Sequence, residues 1–442
     1  MDCLKNGRLL IAEFEAEERL RASHSFTLPA LALFAQRNDL LLQGMDGLMI
    51  TMAEEGDMLV TRVPLPPEYL QWWNRTFCNV SNVSPRPEPS ENVSASGRES
   101  IYHLLQQDKT MHELLRRSVI VNYAAVPEYY WMCQALGIAV SEPDCSAAEL
   151  LSRKSWAVSL RKELGLCPEG VCVSSVEAYD RCIKEMLARY GSVLVKDSMG
   201  VSGRGILPVE HEAAAERLSR HFHKQQAEGK QNFDFVIEPY LNRTMDFSSQ
   251  LHIFRDGTAE IDGYQKNTGR GFGYRSSCGL SDAERNLIFS SGYPDTVRAI
   301  ADAMAEAGYF GYACIDSMIA DGDTVIPLLE INPRMSMGRF NLMLQKKTGK
   351  NCRLSYAEGT AKQEGVSETV LSDLDTLGLL YTGDRPYGVI PLAPAAWQRA
   401  ECRGKRIRIY FALVYDTEEQ YEKLLGSWLG YCTRCICAGS VT

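Results

Sequence analysis

Gly311-Tyr312-Ala313-Cys314-Ile315-Asp316 and Leu328-Leu329-Glu330-Ile331-Asn332-Pro333-Arg334 decide how this chain is read. Between them the turn Asp321-Gly322-Asp323 separates the apolar runs 314–319 and 325–329, the signature of a hairpin. A strand alternates its side chains, so Glu330 and Asn332 share one face, and the hairpin returns Asp316 beside Glu330. Three hard oxygen donors are thereby brought together. Magnesium favours such donors and completes its shell with water and substrate phosphate. Arg334 follows two residues later with a fixed fork suited to phosphate or carboxylate.

Upstream, the β-branched run Ser192–Lys196 leads into Asp197-Ser198-Met199-Gly200-Val201-Ser202-Gly203-Arg204-Gly205, then into the apolar run 206–209. Strand, glycine loop, strand is the expected arrangement. Glycines let backbone amides approach phosphate oxygens, and Ser198 and Ser202 add hydroxyl donors. No Gly-Lys-Ser/Thr follows, which excludes a Walker loop. The loop opens no helix, which excludes a dinucleotide fingerprint. Phe235-Val236-Ile237-Glu238-Pro239-Tyr240-Leu241 is a strand ending at a proline that cannot donate to a ladder. Its backbone is open to an adenine edge, and Asp246 beyond it can accept from ribose hydroxyls. Residues 263–275, rich in Gly, Arg and aromatics, are expected to form a loop that folds over a ligand. Lys266, Arg270 and Arg275 there would meet phosphate or a substrate carboxylate.

The ordered set resembles the ATP-grasp superfamily over roughly residues 150–350. The matching elements are Lys154 in a helix, Lys196 before its glycine loop, the acidic hinge Glu238–Leu241, Asp246, and Asp316 with Glu330-Ile331-Asn332-Pro333-Arg334. The resemblance implies two α+β subdomains clasping ATP, preceded by an α/β pre-ATP-grasp domain. It implies that Lys154 and Lys196 hold the phosphates while the loop around Ser202 and Gly203 covers them. Glu238, Tyr240 and Leu241 would read adenine and Asp246 the ribose. Asp316, Glu330 and Asn332 would hold magnesium, with manganese as a substitute. D-Ala–D-Ala ligases of this superfamily carry an Arg two residues before the first metal acid, where this chain has Cys314. The expected stabiliser of charge at the reaction centre is therefore Arg334, assisted by Lys266 and Arg270.

The implied activity is ATP-dependent amide ligation. A carboxylate becomes an acyl-phosphate, and an amine, an amino acid or peptide, displaces the phosphate. The alternatives are a non-catalytic ATP-binding sensor or scaffold, and an enzyme of this fold with a non-amine acceptor. No biotin-carrier Met-Lys-Met segment occurs in the chain, which disfavours a carboxylase.

With 442 residues and a hydrophobic fraction of 45%, the chain can bury real cores in two to four units. Its net charge of -9 argues against general nucleic-acid binding. No apolar stretch reaches membrane-spanning length and the first residues lack a secretory core, so a cytoplasmic protein acting on small molecules, with a homodimer allowed, is expected. The sequons at Asn74, Asn79, Asn82, Asn92 and Asn242 are then incidental. The 14 cysteines form no disulfide framework. Cys432, Cys435 and Cys437 cluster near the end and are read as packing thiols.

Three units are expected: 1–146, an α/β domain; 147–350, the nucleotide and metal region; and 351–442, an α+β segment completing the acceptor pocket or an oligomer contact. Strands are expected at 38–44, 57–61, 119–122, 248–254 and 405–415. Helices are expected at 66–75, 99–117, 127–136, 146–165 (with Ser146 and Glu149 as a capping box), 176–190, 210–226, 283–308 and 417–429. Residues 81–98 and 386–392 read as irregular.

Overall fold

The computed structural model describes residues 7–29, 44–85, 99–200, 205–362, 366–394 and 406–438. In its first unit β1 (Arg8–Ile11), β2 (Met58–Val60), β3 (Ser81–Val83) and β4 (Val119–Asn122) form a parallel sheet in the order β3-β2-β1-β4. Helices Pro67–Thr76 and Pro127–Leu136 accompany it, each starting with proline where a missing N–H is harmless. The second closes at Gly137, whose φ of 66° is the left-handed value that favours glycine there. Leu9, Leu10 and Ile11 are all buried, as a strand covered on both faces requires.

In the second unit β5 (Val171–Val173), β6 (Val193–Asp197), β7 (Ile206–Val209) and β8 (Phe235–Pro239) form a small antiparallel sheet in the order β5-β8-β6-β7. Helices Val176–Tyr190 and Glu212–Ala227 cover it through Tyr179, Ile183, Leu218 and Phe222.

The third unit is a nine-stranded sheet. Its strands are β9 (Arg243–Ile253), β10 (Ala259–Arg270), β11 (Gly273–Cys278), β12 (Gly311–Ala320), β13 (Thr324–Asn332), β14 (Asn351–Ala361), β15 (Gly388–Leu392), β16 (Arg406–Tyr415) and β17 (Ile436–Ala438). They follow the path β13-β12-β9-β10-β11-β14-β16-β15, with β17 beside β14. Strand alternation gives the site end of this sheet two unlike faces. Phe247, Leu251 and Ile315 pack with Val297 and Ile300 of the helix Tyr293–Glu306. Ser248, Gln250, Cys314 and Asp316 belong to the other face, where Ser336 at the start of the helix Met337–Thr348 donates to Gln250 Oε1 at 2.7 Å.

Several elements differ from the sequence expectation. The helix expected over 99–117 is interrupted at Asp108, whose carboxylate caps the next turn by accepting from the Thr110 amide at 3.0 Å. That over 146–165 is two helices, Cys145–Ser152 and Lys154–Glu163, and the cap is Asp144, not Ser146. The helix over 283–308 divides at Gly292, φ 78°, with a proline opening the second part. Residues 263–275 are no loop: β10 and β11 form a hairpin across them, zipped to β9 and β14. Residues 81–83 join the parallel sheet, and 388–392 form β15, an edge strand that tolerates Pro391. The strand expected over 38–44 falls outside the described residues except for Gly44.

Position 350 is not a structural boundary. β14 and β16 extend the same sheet, and one hydrophobic core joins Leu354 and Ile409 to Tyr69 and Trp73 of the first unit. Cys432 and Cys435 are buried at the end of the helix Glu418–Cys435. Among the described residues, no helix is long and apolar enough to cross a membrane.

Candidate active site

Asp316 and Glu330 are cross-strand partners in the β12–β13 ladder, and Asn332 lies opposite Cys314. The Asn332 amide donates to Asp316 Oδ2 at 2.8 Å. Burial, then the neighbouring Glu330 charge, pushes the Asp316 carboxyl above its ordinary range. Burial acts likewise on Glu330, but the Lys154 ammonium 2.7 Å away, the Lys196 charge and a hydrogen bond with Asp316 together outweigh it and keep that carboxyl low. Among the described residues no three His, Cys, Asp or Glu side chains form a metal-binding group. Two carboxylates and one amide oxygen nevertheless fit magnesium, which is usually held by one or two carboxylates plus substrate phosphate and water.

Lys154 begins its helix and is 5% exposed. Besides Glu330, its ammonium donates to the Gly200 carbonyl at 2.7 Å. Its backbone amide donates to the Ser198 carbonyl at 3.0 Å, and the Ser155 amide to Ser198 Oγ at 3.1 Å. This lysine therefore bridges the β12–β13 hairpin and the stem of the glycine loop. Gly200 and Gly205 close that stem so tightly that a Cβ on either would lie 2.6 Å from the other's Cα. Ser202 and Gly203 lie outside the described residues.

Lys196, on β6, is paired with Glu238 on the neighbouring β8. The other Glu238 oxygen takes Arg161, whose guanidinium also donates to the Leu328 carbonyl at 2.9 Å. Burial raises the Glu238 carboxyl, yet the two cations reverse this and bring it down to about 2. The expectation that Glu238 reads adenine is corrected accordingly: its side chain is 2% exposed and holds Lys196 and Arg161. The Tyr240 amide is also engaged, donating to the Ser192 carbonyl at 3.0 Å. Leu241 packs with Leu329 against Met318, Ala320 and Ile326, a small apolar surface beside the hinge. Asp246 sits nearby on β9 with Arg243 at 2.8 Å.

Arg334 does not continue β13. Pro333 ends the ladder, and Arg334 forms a bridge with Ala124 after β4. Each guanidinium nitrogen has a partner: Nε with Glu17, one terminal nitrogen 3.0 Å from Tyr123 Oη, the other 3.1 Å from Asn332 Oδ1. Arg334 thus orients Asn332 and anchors it to the first unit. Lys266 is paired with Glu284 on the first turn of the helix Asp282–Ser290. The backbone of Arg270 lies at the tip of the β10–β11 hairpin.

The β12–β13 hairpin sets Asp316, Glu330 and Asn332 side by side, Lys154 reaches Glu330 from its helix, and the Lys196 charge acts on Glu330 from the small sheet. Sequence reasoning missed Arg161, Glu17, Tyr123 and Asp197, whose partners are distant in the chain and carry no local signal. Arg339, on the helix after the Asn332-Pro333-Arg334 turn, is 1% exposed and lies 2.7 Å from Asp262.

No protein-family profile matches the chain. Over 217 residues it is 23% identical to the [butirosin acyl-carrier protein]–L-glutamate ligase of Niallia circulans, covering 46% of this chain and 49% of that protein. The chain thus spans about half the length of the curated relative it matches. Among solved structures, it resembles the biotin carboxylase domain of the Hydrogenobacter thermophilus 2-oxoglutarate carboxylase, solved with ADP, its magnesium salt and bicarbonate. The TM-score is 0.53 at 12% identity, covering 96% of this chain and 89% of that one. The N5-carboxyaminoimidazole ribonucleotide synthetase of Thermus thermophilus gives a TM-score of 0.52 at 14% identity, covering 90% of this chain and 98% of that one. Both are ATP-grasp enzymes, and at these identities the likeness speaks for architecture: the chain has the ATP-grasp fold, with an α/β domain before it.

Proposed function

We propose that the protein is an ATP-dependent ligase that activates a carboxylate and couples it to an amine, an amino acid or peptide. The observation that carries this reading is Lys154, a buried ammonium touching both Glu330 on the metal hairpin and Gly200 on the loop stem. ATP phosphates placed between these elements would meet Lys154 and Lys196 as point charges. Asp316, Glu330 and Asn332 would hold magnesium, which would neutralise charge on the transferring phosphoryl group. The apolar surface of Leu241, Leu329 and Met318 supplies a wall for adenine, with Asp246 in reach of the ribose.

In the reaction, a substrate carboxylate oxygen bonds to the γ-phosphorus as the bond to ADP breaks. The amine nitrogen then bonds to the carbonyl carbon, phosphate leaves, and the amine proton passes to solvent. The two lysines bear the charge of the phosphoryl group, and Arg334 keeps Asn332 in position. Lys266 and Arg270 remain candidates for the substrate carboxylate, Lys266 by exchanging Glu284 for it.

The decisive assay is ADP release over a panel of acids and amines, with product masses. L-Glutamate and an acyl-carrier protein belong on the panel because the curated relative is named for them. A product mass equal to acid plus amine minus water is expected. Nucleotide binding without ADP release for any pair, under conditions that saturate the protein, would favour a sensor or scaffold.

A further inference from the structure

The short helix Ala16–Leu20, which follows β1, touches both halves of the site. Glu17 on it holds Arg334. One turn later Arg21, which ends the helix, places a guanidinium nitrogen 2.8 Å from Asp197 Oδ2 and 2.6 Å from the Phe26 carbonyl. Asp197 directly follows Lys196 and is 2% exposed. Its Oδ1 accepts from the Met199 amide at 3.1 Å, its carbonyl from the Gly200 amide at 3.0 Å, and its own amide donates to the Gly205 carbonyl at 2.7 Å. One residue therefore ties together both stems of the glycine loop, and Arg21 is its counter-charge.

Beyond Arg21 the chain is built into the small sheet's unit. Phe26 and Leu28 are buried with Phe222 and Phe233. The Phe26 amide donates to the Asn232 carbonyl at 3.0 Å, and the Gln225 side-chain amide to the Thr27 carbonyl at 2.8 Å. A strap from the first unit thus runs across the site, joined to the metal strand at Glu17 and to the phosphate loop at Arg21.

We propose that Arg21 is a positioning residue for the nucleotide phosphates, acting through Asp197 on the loop stem. Glu17, one turn away, holds Arg334 and the metal strand in register with that stem. The inference rests on the reading that ATP binds at Lys154 and Lys196. Removing Arg21 leaves a buried carboxylate without its cation, so the stem loosens and Gly200, whose carbonyl accepts from Lys154, loses its fixed place.

The test is calorimetric binding of MgADP to the full chain, with ligand-free melting as the control for folding. Arg21→Gln is expected to weaken MgADP roughly five- to tenfold, with Arg21→Lys recovering part of the loss. In an Asp197→Asn background the same change should add less than about twofold, because the path runs through Asp197. Arg189→Gln, which breaks an exposed pair with Glu169, should change nothing. Glu17→Gln should lower the ratio of MgADP to metal-free ADP affinity about tenfold, the usual scale for losing an outer partner of a metal ligand. Wild-type affinity in Arg21→Gln, or an equal loss with and without Asp197, would overturn the role of Arg21. An unchanged ratio in Glu17→Gln would remove that of Glu17. Wild-type protein that binds no MgADP would instead overturn the nucleotide reading, and the inference with it. Should Arg21→Gln not fold, Arg21→Lys and the charge-neutral pair Arg21→Gln with Asp197→Asn carry the same comparison.

Discussion

Residue by residue, the site is a set of opposite charges already paired within the protein, and on the proposed reading an arriving phosphate would compete for the cations. Glu238 is buried between Lys196 and Arg161. Glu238→Gln strands two buried cations, so a loss of roughly 3–5 kcal/mol is expected, read from chemical denaturation. The pH dependence has a definite sign. The folded-state carboxyl lies near 2, below its ordinary 4.5, so its stabilisation is full above about 4.5 and drains away as pH falls towards 2. Glu238→Gln should remove that acid-side slope as well as lower stability at neutral pH. Glu330→Gln should behave differently. It weakens metal-dependent ADP release by about ten- to a hundredfold while changing the melting temperature little, because Glu330 is partly exposed. Equal effects of the two substitutions on folding would remove the distinction between a supporting acid and a metal ligand. Asp316, Glu330 and Asn332 were legible in the sequence because strand alternation and a hairpin turn bring them together. Lys154 and Lys196, on a helix and in another sheet, were legible only through the order of motifs that resembles the ATP-grasp pattern. Glu17, Arg21 and Arg161 were not, because they pair with Arg334, Asp197 and Glu238 across the fold, and no periodicity encodes a long-range ion pair.

Among the elements, the glycines show where sequence pattern is ambiguous. Gly269-Arg270-Gly271-Phe272-Gly273 has the composition of a loop, yet only Gly271 has a left-handed backbone, φ 62°. Gly269 and Arg270 pair with Tyr274 and Gly273 across the hairpin, whose stem is held by β9 up to Asn267 and by β14 from Ser276. Composition reports local freedom, whereas neighbouring strands decide whether that freedom is used. At Gly200 and Gly205 the pattern was informative, because strand, glycine loop and strand are what the structure contains on either side of the undescribed tip. Gly205→Ala places a Cβ 2.6 Å from the Gly200 Cα, a backbone atom that cannot swing aside. The stem must open by several tenths of an ångström, at a cost of roughly 1–3 kcal/mol. Because Lys154 donates to the Gly200 carbonyl, opening the stem also moves that lysine's partner. Melting temperature and nucleotide affinity should therefore fall together in this variant. A fall in stability with unchanged nucleotide affinity would separate the stem from the phosphate site.

For the whole molecule, the division expected at residue 350 fails because secondary-structure pattern says nothing about which sheet a strand joins. β14 pairs β11 over 276–278 and β16 along 351–360, so the segment after residue 350 continues the large sheet through β14, β16 and the edge strand β15. It also closes the first unit. Trp72 Nε1 donates to the Tyr381 carbonyl at 2.9 Å, Tyr69 Oη to the Pro391 carbonyl at 3.1 Å, and Phe77 stacks on Tyr381. A chain ending at residue 350 would leave β11 as a bare edge and expose the side of Tyr69, Trp72 and Trp73 that Tyr381 and Pro391 cover. Fully burying each such aromatic is worth on the order of 2–3 kcal/mol, so a few of them amount to much of a domain's net stability. The shortened chain is therefore expected to show no cooperative unfolding of its first unit, and to aggregate through the freed edge. The full chain should unfold its first unit and large sheet together. ATP with magnesium at about a hundred times Kd should raise that shared transition by roughly 2.7 kcal/mol, although the nucleotide touches only the clasping half. A separate early transition that survives in the shortened chain and ignores nucleotide would show instead that the first unit folds alone, without the segment after residue 350.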